Sequence, residues 1–114
     1  MEKTSLNGST AQPRLIPIPS GGESYLSLLG GPPDSVSIRA GYVELLPGES
    51  IGLHSTQDHE ELIVTLSGHG QLISPGVDPL PMTIDCILYN PPNTPHNVVN
   101  TGDVPLRYIY IVTI

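Results

Sequence analysis

A chain of 114 residues, 38% of them hydrophobic, suffices for one domain with a single core and is too short for two. A formal net charge of −7, with only four Lys and Arg residues, argues against binding to nucleic acid or to an anionic membrane, because both need a basic patch. The single cysteine, Cys86, cannot form an internal disulfide, and its apolar neighbours predict a small buried side chain. No apolar run is long enough to span a bilayer and the N-terminus lacks signal-peptide features, which predicts a cytoplasmic protein.

The N-terminal part of the chain changes character near residue 14. Residues 1–13 are small and polar without periodicity, which predicts a flexible arm ahead of a single domain over residues 14–114. The segment 14–22 alternates Ile with Pro and is typical of an extended edge segment. Strands are predicted at 25–29 and 35–46, the second with a bulge at Gly41.

The rest of the chain consists of short β-branched runs separated by turns rich in Gly and Pro. Segment 75–79 reads as one of these turns because it begins and ends with Pro. Further strands are predicted at 51–56, 62–66, 71–74, 82–84, 87–89, 96–100 and 106–114. Such short strands at intervals of about 8–12 residues, without helical spacing, predict an all-β sandwich or small barrel.

Two separate stretches of the chain carry side chains that can bind a metal. The first contains His54 and Glu61, and the second contains His96. Two imidazoles and one carboxylate on neighbouring strands would hold a divalent transition metal and leave positions free for a substrate. The alternatives are that the histidines are core residues bonded to backbone and that Glu61 is an exposed carboxylate at a strand end. Residues 54 and 56 are two apart on one strand, so the side chains of His54 and Thr56 point to the same side of the sheet.

These two stretches resemble the two sequence motifs of the cupin superfamily, and the chain looks like a small single-domain member of the conserved-barrel type. The first motif is Gly, five residues, His-x-His, three or four residues, Glu, six residues, Gly, and it reads here as Gly48, His54, Thr56, Glu61 and Gly68. The second is Gly, five residues, Pro-x-Gly-x-x-His, three residues, Asn, and it reads here as Asp85, Pro91, Asn93, His96 and Asn100. Asp and Asn replace two motif glycines, and both tolerate a left-handed turn better than most residues.

The resemblance implies a double-stranded β-helix, also called a jelly-roll barrel, with His54, Glu61 and His96 as metal ligands. It leaves the metal open among Fe, Mn, Zn, Ni and copper. Thr56 replaces the second motif histidine, and its hydroxyl is the candidate catalytic group, able to bind substrate, orient a water or hydrogen-bond a ligand. The alternative is that this hydroxyl is a structural one, satisfied within the barrel. His59, in the loop before Glu61, is a candidate to replace the missing imidazole. Cupins dimerise through edge strands, so we expect a homodimer, in which residues 15–19 could extend the partner's sheet.

Two functions are compatible with such a site, because the fold alone does not select a reaction. One is a metal-dependent enzyme, a dioxygenase or isomerase acting on a small oxygen-rich metabolite. The other is a non-catalytic module that binds a small ligand with or without metal. Arg39 would anchor an anionic substrate if it faced the barrel, and Glu60 is expected on the opposite face from Glu61. His69 is expected to be exposed, and Asn97 and Asn100 to hydrogen-bond turns and edges.

Overall fold

A computed structural model describes residues 12–114, and most of the predicted arm at residues 1–13 therefore lies outside the described residues. The described chain is all-β, as the sequence predicts, and none of its segments is a helix long and apolar enough to cross a membrane. Its strands are β1 (Tyr25–Gly30), β2 (Ile38–Leu45), β3 (His54–Ser55), β4 (Glu61–Ser67), β5 (Gly70–Ser74), β6 (Val77–Met82), β7 (Ile87–Asn90), β8 (Pro95–Asn100) and β9 (Leu106–Thr113).

The strands form two antiparallel sheets. The larger has the order β1-β2-β9-β4-β7, and the smaller has the order β3-β8-β5-β6. Alternate residues of each strand turn toward the core, as a period of two requires. The buried cluster consists of Val43, Leu45, Ile63, Leu72, Met82, Leu88, Val98, Leu106 and Tyr108. Aliphatic and tyrosine side chains therefore build this core without any Trp or Phe.

The turn predicted at 75–79 is present but is confined to residues 75–76, because strand β6 begins at Val77. This strand contains Pro79 and Pro81, which cannot donate ladder hydrogen bonds. Strand β6 lies at the edge of its sheet and pairs only with β5. The N–H groups that its prolines lack are therefore not needed to pair with a second strand. The strand predicted at 51–56 is shorter than expected and is reduced to β3.

Gly41 is not the site of a bulge, which corrects a second prediction. Strand β2 pairs with β9 without a register shift, and the irregularity lies in β1 between Ser27 and Leu29. A Cβ atom at Gly41 would lie 2.5 Å from Cζ and Oη of Tyr110. Glycine is needed here because the Tyr110 ring lies directly against the backbone of β2.

The prediction for Cys86 is wrong, and the one for the two replaced motif glycines holds at one position. Cys86 is exposed and not buried, because it ends a turn after β6, where its Sγ lies 3.4 Å from the Thr83 hydroxyl. Asn93 has a φ of 55°, which confirms the left-handed turn expected there, whereas Asp85 does not have a positive φ.

The segment 14–22 joins neither sheet. It is held against the larger sheet by Arg107, whose Nη2 donates to the Pro19 carbonyl at 2.5 Å. Arg14 adds an ion pair of 3.0 Å with Asp34. Side-chain hydrogen bonds and not strand pairing therefore position this segment.

Candidate functional site

A cavity of about 480 Å³ is lined by residues from both sheets. His54, Glu61 and His96 all line it, and so do Thr56 and His59. The five residues predicted for the site are thus brought to one cavity, although they come from strands β3, β4 and β8 and from the loop between β3 and β4.

Strand register places the two imidazoles side by side. His54 of β3 and His96 of β8 are direct partners across the antiparallel pair. Directly opposite residues project from the same face of a sheet. Their rings are 4.3 Å apart between centroids and are inclined by 60°.

Backbone carbonyls fix the orientation of both rings. Nδ1 of His54 lies 2.8 Å from the Gly52 carbonyl, and Nδ1 of His96 lies 2.9 Å from the Thr94 carbonyl. A carbonyl oxygen only accepts, so Nδ1 must carry the proton in each contact. In the neutral ring, Nε2 is then the nitrogen with a free lone pair, which is the state that a metal ligand needs.

His96 and Glu61 form the closest contact between predicted ligands. Nε2 of His96 lies 3.0 Å from Oε1 of Glu61, and the His96 side chain is 1% exposed. The contact does not have the geometry of a hydrogen bond: Nε2 is the buried side-chain polar atom that lacks a hydrogen-bond partner within residues 12–114. Burial lowers the pKa of His96, but the Glu61 carboxylate and the Thr94 carbonyl outweigh it, so this pKa is raised overall. A lone pair and a carboxylate at this distance repel each other unless a cation, either a proton on the imidazole or a metal ion, binds them.

Asn90 holds the carboxylate of Glu61 in place, a role that was not predicted from the sequence. Its Nδ2 donates to Oε1 of Glu61 at 3.0 Å, and Asn90 is 3% exposed. Asn90 is the register partner of Glu61 on β7. Alternation along β7, which turns Leu88 and Asn90 to the same buried face, could have identified it.

The three predicted ligands do not form a closed triad. Over residues 12–114, no group of three or more His, Cys, Asp or Glu side chains is arranged to hold a metal ion. His54 is exposed, and its ring contacts His96 at the cavity wall. The donor set therefore fits a cation best at the contact between Glu61 and His96, with His54 beside it.

Thr56 is buried, and its hydroxyl is engaged by backbone groups. Oγ1 donates to the Pro91 carbonyl at 2.7 Å and accepts from the Thr94 nitrogen at 3.0 Å. The hydroxyl proton is therefore not free to act on a ligand. These contacts make Thr56 connect the end of β3 to the loop that precedes β8, the strand of His96.

His59 lines the cavity but faces its neighbour in the loop. Its Nε2 lies 3.3 Å from Oδ1 of Asp58, and the His59 side chain is 22% exposed. Glu60 points to the outer face, where Tyr89 donates to it at 2.5 Å. Asn100 is buried and bonds the carbonyls of Leu45 and Val104, which is the structural role expected of it.

Comparison with known proteins places this chain in a family. The family model described as the cupin domain matches residues 41–112. No curated protein matches the chain.

Among solved structures, the chain is similar to the cupin domain of Cnp3 from Schizosaccharomyces pombe, with 20% identity and a TM-score of 0.69. The match covers 78% of this chain and 62% of that one. An RmlC-like cupin with a double-stranded β-helix from Methanocaldococcus jannaschii is 14% identical, with a TM-score of 0.72 and coverage of 87% and 88%. The DMSP lyase DddQ from Ruegeria pomeroyi is 22% identical, with a TM-score of 0.68 and coverage of 79% and 46%. These likenesses confirm the double-stranded β-helix.

Proposed function

The chain belongs to the cupin family, and we propose that within this family it binds a divalent transition metal beside a small-molecule cavity. The observation that carries the proposal is the buried Nε2 of His96, which lacks a hydrogen bond and lies 3.0 Å from a carboxylate oxygen of Glu61. Leaving such a nitrogen unsatisfied in a core costs about 1–3 kcal/mol, and a metal ion would remove that cost.

Glu61 and His96 would hold the ion at their contact, and the ring of His54, which lies against His96, would have to turn toward the ion to become the third ligand. When bound, a divalent metal supplies Lewis-acid polarisation of a substrate oxygen, or a template for substrate and O₂. The chain's own residues orient the donors: the carbonyls of Gly52 and Thr94 fix the imidazoles, and Asn90 fixes the carboxylate. Such outer contacts cost about 10–100-fold in metal affinity when they are removed.

We propose that the cavity takes a small oxygen-rich metabolite and that the protein oxidises or isomerises it. A cavity of about 480 Å³ is of the size that holds a small organic ligand. It combines apolar walls from Val43, Ile63 and Val98 with polar groups at the proposed metal site. This mixture fits a ligand that is oriented by a few polar contacts.

The second candidate is a binding module that works without metal. Thr56 stands where the family motif has its second histidine, and the described residues form no closed ligand triad. Both features favour metal loss. In this function a second proton on His96 would make an ion pair with Glu61, and no metal ion would be bound.

Elemental analysis separates the two candidates. Protein purified without a chelating tag and incubated with Fe, Mn, Zn or Ni is dialysed and its metal content measured. We expect retained metal in the wild type and in the control His69→Ala, whose side chain is exposed in the turn after β4. We expect loss of metal in His54→Ala and His96→Ala.

Equal metal content in all four proteins would reject this ligand set, and metal-free wild type would favour the binding module. O₂ consumption by the loaded protein with a panel of hydroxy and keto compounds then tests the dioxygenase function. Product analysis under anaerobic conditions tests isomerisation.

A further inference from the structure

One cation in the described chain lines the cavity and lacks a partner. Of the three arginines in residues 12–114, Arg14 is paired with Asp34, and Arg107 donates to Tyr42, Ser67 and Pro19. Arg39 makes no ion pair or side-chain hydrogen bond to any described residue, and it lines the same cavity as Glu61 and His96. A guanidinium that lines a cavity and has no carboxylate paired to it is a ready partner for an anion, even though the net charge of the protein is −7.

The sheet register fixes the place of Arg39 relative to the proposed metal site. Val112 on β9 is the partner of Arg39 on one side and of Glu61 on the other. The three residues form one row across the sheet and project from the same face. Two strand spacings of about 4.8 Å put the backbones of Arg39 and Glu61 roughly 10 Å apart, which leaves room for a small molecule between their side chains.

A pair of phenols adds a second donor at the cavity wall. The hydroxyls of Tyr25 and Tyr110 are 2.7 Å apart, and both residues line the cavity. One hydroxyl donates to the other, so the pair keeps one O–H for a ligand. Burial raises the pKa of Tyr110, and its hydrogen bond with Tyr25 raises that pKa further against the opposing charge of Arg39, so the phenol remains a donor at neutral pH.

Gly41 determines where the Tyr110 hydroxyl lies. It is the residue between Arg39 and Val43 on the inward face of β2 and is the register partner of Tyr110. Without a Cβ, it lets the Tyr110 ring lie against the strand, on the same face as Arg39. The guanidinium and the phenol pair therefore share one wall of the cavity.

We propose that this wall binds the carboxylate of a small organic acid, with Arg39 and the Tyr25–Tyr110 pair as the binding groups. The placement of the acid's other oxygens toward His54, Glu61 and His96 rests on the proposed metal function, whereas carboxylate binding by Arg39 does not. A carboxylate fits better than a phosphate ester, because one guanidinium balances one negative charge and a phosphate at neutral pH carries more than one.

Binding of three carboxylate probes tests the inference. Malonate, succinate and benzoate are titrated by calorimetry into metal-free protein at low salt, with the matched amides and inorganic phosphate as comparisons. We expect saturable binding of at least one acid to the wild type and no binding of its amide. Arg39→Gln should weaken that binding at least about tenfold, because hydrogen bonds to charged groups are among the strongest in proteins.

The matched control is Arg14→Gln, which removes an arginine outside the cavity and should bind the acid as the wild type does. Tyr110→Phe should weaken binding by a smaller factor than Arg39→Gln. Arg39 is exposed, so its substitution should leave the fold intact, which circular dichroism checks.

The inference is overturned if no acid binds the wild type, if Arg39→Gln binds as tightly as Arg14→Gln, or if phosphate binds more tightly than every acid. Metal content distinguishes this result from failure of the proposed function. Arg39→Gln should retain the metal content of the wild type, whereas His96→Ala should lose it.

Discussion

The backbone nitrogen of Thr94 donates to the hydroxyl of Thr56 at 3.0 Å, and the carbonyl of the same Thr94 accepts from Nδ1 of His96 at 2.9 Å. Thr56 therefore acts on the site through one intervening residue. Where the family motif has a second imidazole, this chain has a hydroxyl that positions the imidazole of His96. We infer that Thr56 is a positioning residue and not the catalytic group that the sequence predicts.

Replacing Thr56 by valine should destabilise the protein and weaken metal binding together. Thr56→Val keeps the shape of the side chain but leaves the Pro91 carbonyl and the Thr94 nitrogen without their partner, at a cost of about 1–3 kcal/mol. Thr56→Ser should restore most of the loss, because it restores the hydroxyl. Urea unfolding and metal titration measure the two effects.

The control for this pair is Thr101→Val, at an exposed turn residue, which should change stability by less than about 0.5 kcal/mol. If Thr56→Val had the stability and metal affinity of the wild type, the hydroxyl would not be holding the loop that leads into His96 on β8.

Changing Asn90 to aspartate should destabilise the metal-free protein by about 2 kcal/mol. Asn90→Asp replaces the donor to Glu61 with a second carboxylate in a buried position, so a hydrogen bond becomes a like-charge contact. A divalent cation offsets that repulsion, so the rise in Tm on adding metal should be larger in the variant than in the wild type. Differential scanning calorimetry with and without metal measures both quantities.

Asn97→Asp is the matched control. Oδ1 of Asn97 accepts from the Gly52 nitrogen at 2.8 Å, and an aspartate keeps this acceptor. The control should show no enhanced response to metal. An equal rise in Tm in the two variants would mean that the added carboxylate at position 90 does not interact with the bound metal.

The all-β class could be predicted from the sequence because alternating β-branched runs and turn residues indicate short strands locally. The double-stranded β-helix and the set His54, Glu61 and His96 were implied by the resemblance to the two cupin motifs, and all three residues line one cavity. What could not be predicted depends on strand pairing, which no spacing within one strand reveals. The row that joins Arg39 to Glu61 through Val112 requires β2, β9 and β4 to be neighbours.

The errors have a similar origin. Sequence alone could not show that β6 is an edge strand, so its prolines indicated a turn. Cys86 was predicted to be buried because its neighbours are apolar, but a turn residue next to an edge strand has no sheet packed over it. Gly41 indicated a bulge because the ring of Tyr110, distant in sequence, was not known to lie against it.

Adding a methyl group at Gly41 should destabilise the protein by about 1–3 kcal/mol. The Cβ of Gly41→Ala would lie 2.5 Å from Oη of Tyr110, so the ring must move or the strand must bend. Combining it with Tyr110→Val should remove most of this penalty, because the smaller side chain leaves space for the methyl group. A double-mutant cycle by urea unfolding measures the coupling.

Gly30→Ala is the control, since its nearest neighbour would be a side-chain oxygen of Asp34 at 3.9 Å and its φ is not positive. It should be neutral or stabilise by about 0.5 kcal/mol through the unfolded state. Equal effects of alanine at the two glycines would contradict the steric role of Gly41.

The stability of the protein should fall steeply above about pH 10, the usual pKa of tyrosine, and Tyr108 should contribute much of this fall. Burial, and then the charge of Glu61, raises the pKa of Tyr108, and the Tyr110 phenol is shifted in the same direction. A raised pKa in the folded state means that the stabilisation is fully present below the unfolded value and is lost as pH rises toward the folded one. Each such phenol contributes a slope of up to about 1.4 kcal/mol per pH unit in that range.

Tyr108→Phe removes one of these phenols, and the comparison with the wild type needs no further variant. Between pH 7 and pH 8 the difference in unfolding free energy between the two proteins should be constant, because Tyr108 is protonated in both the folded and the unfolded wild type. From pH 10 to pH 11 the difference should shift in favour of Tyr108→Phe by about 1 kcal/mol. In this range only the wild type has a Tyr108 phenol whose ionisation favours the unfolded chain. Urea unfolding across this range measures it, and a difference that stays constant up to pH 11 would show that the Tyr108 hydroxyl ionises as readily in the folded chain as in the unfolded one.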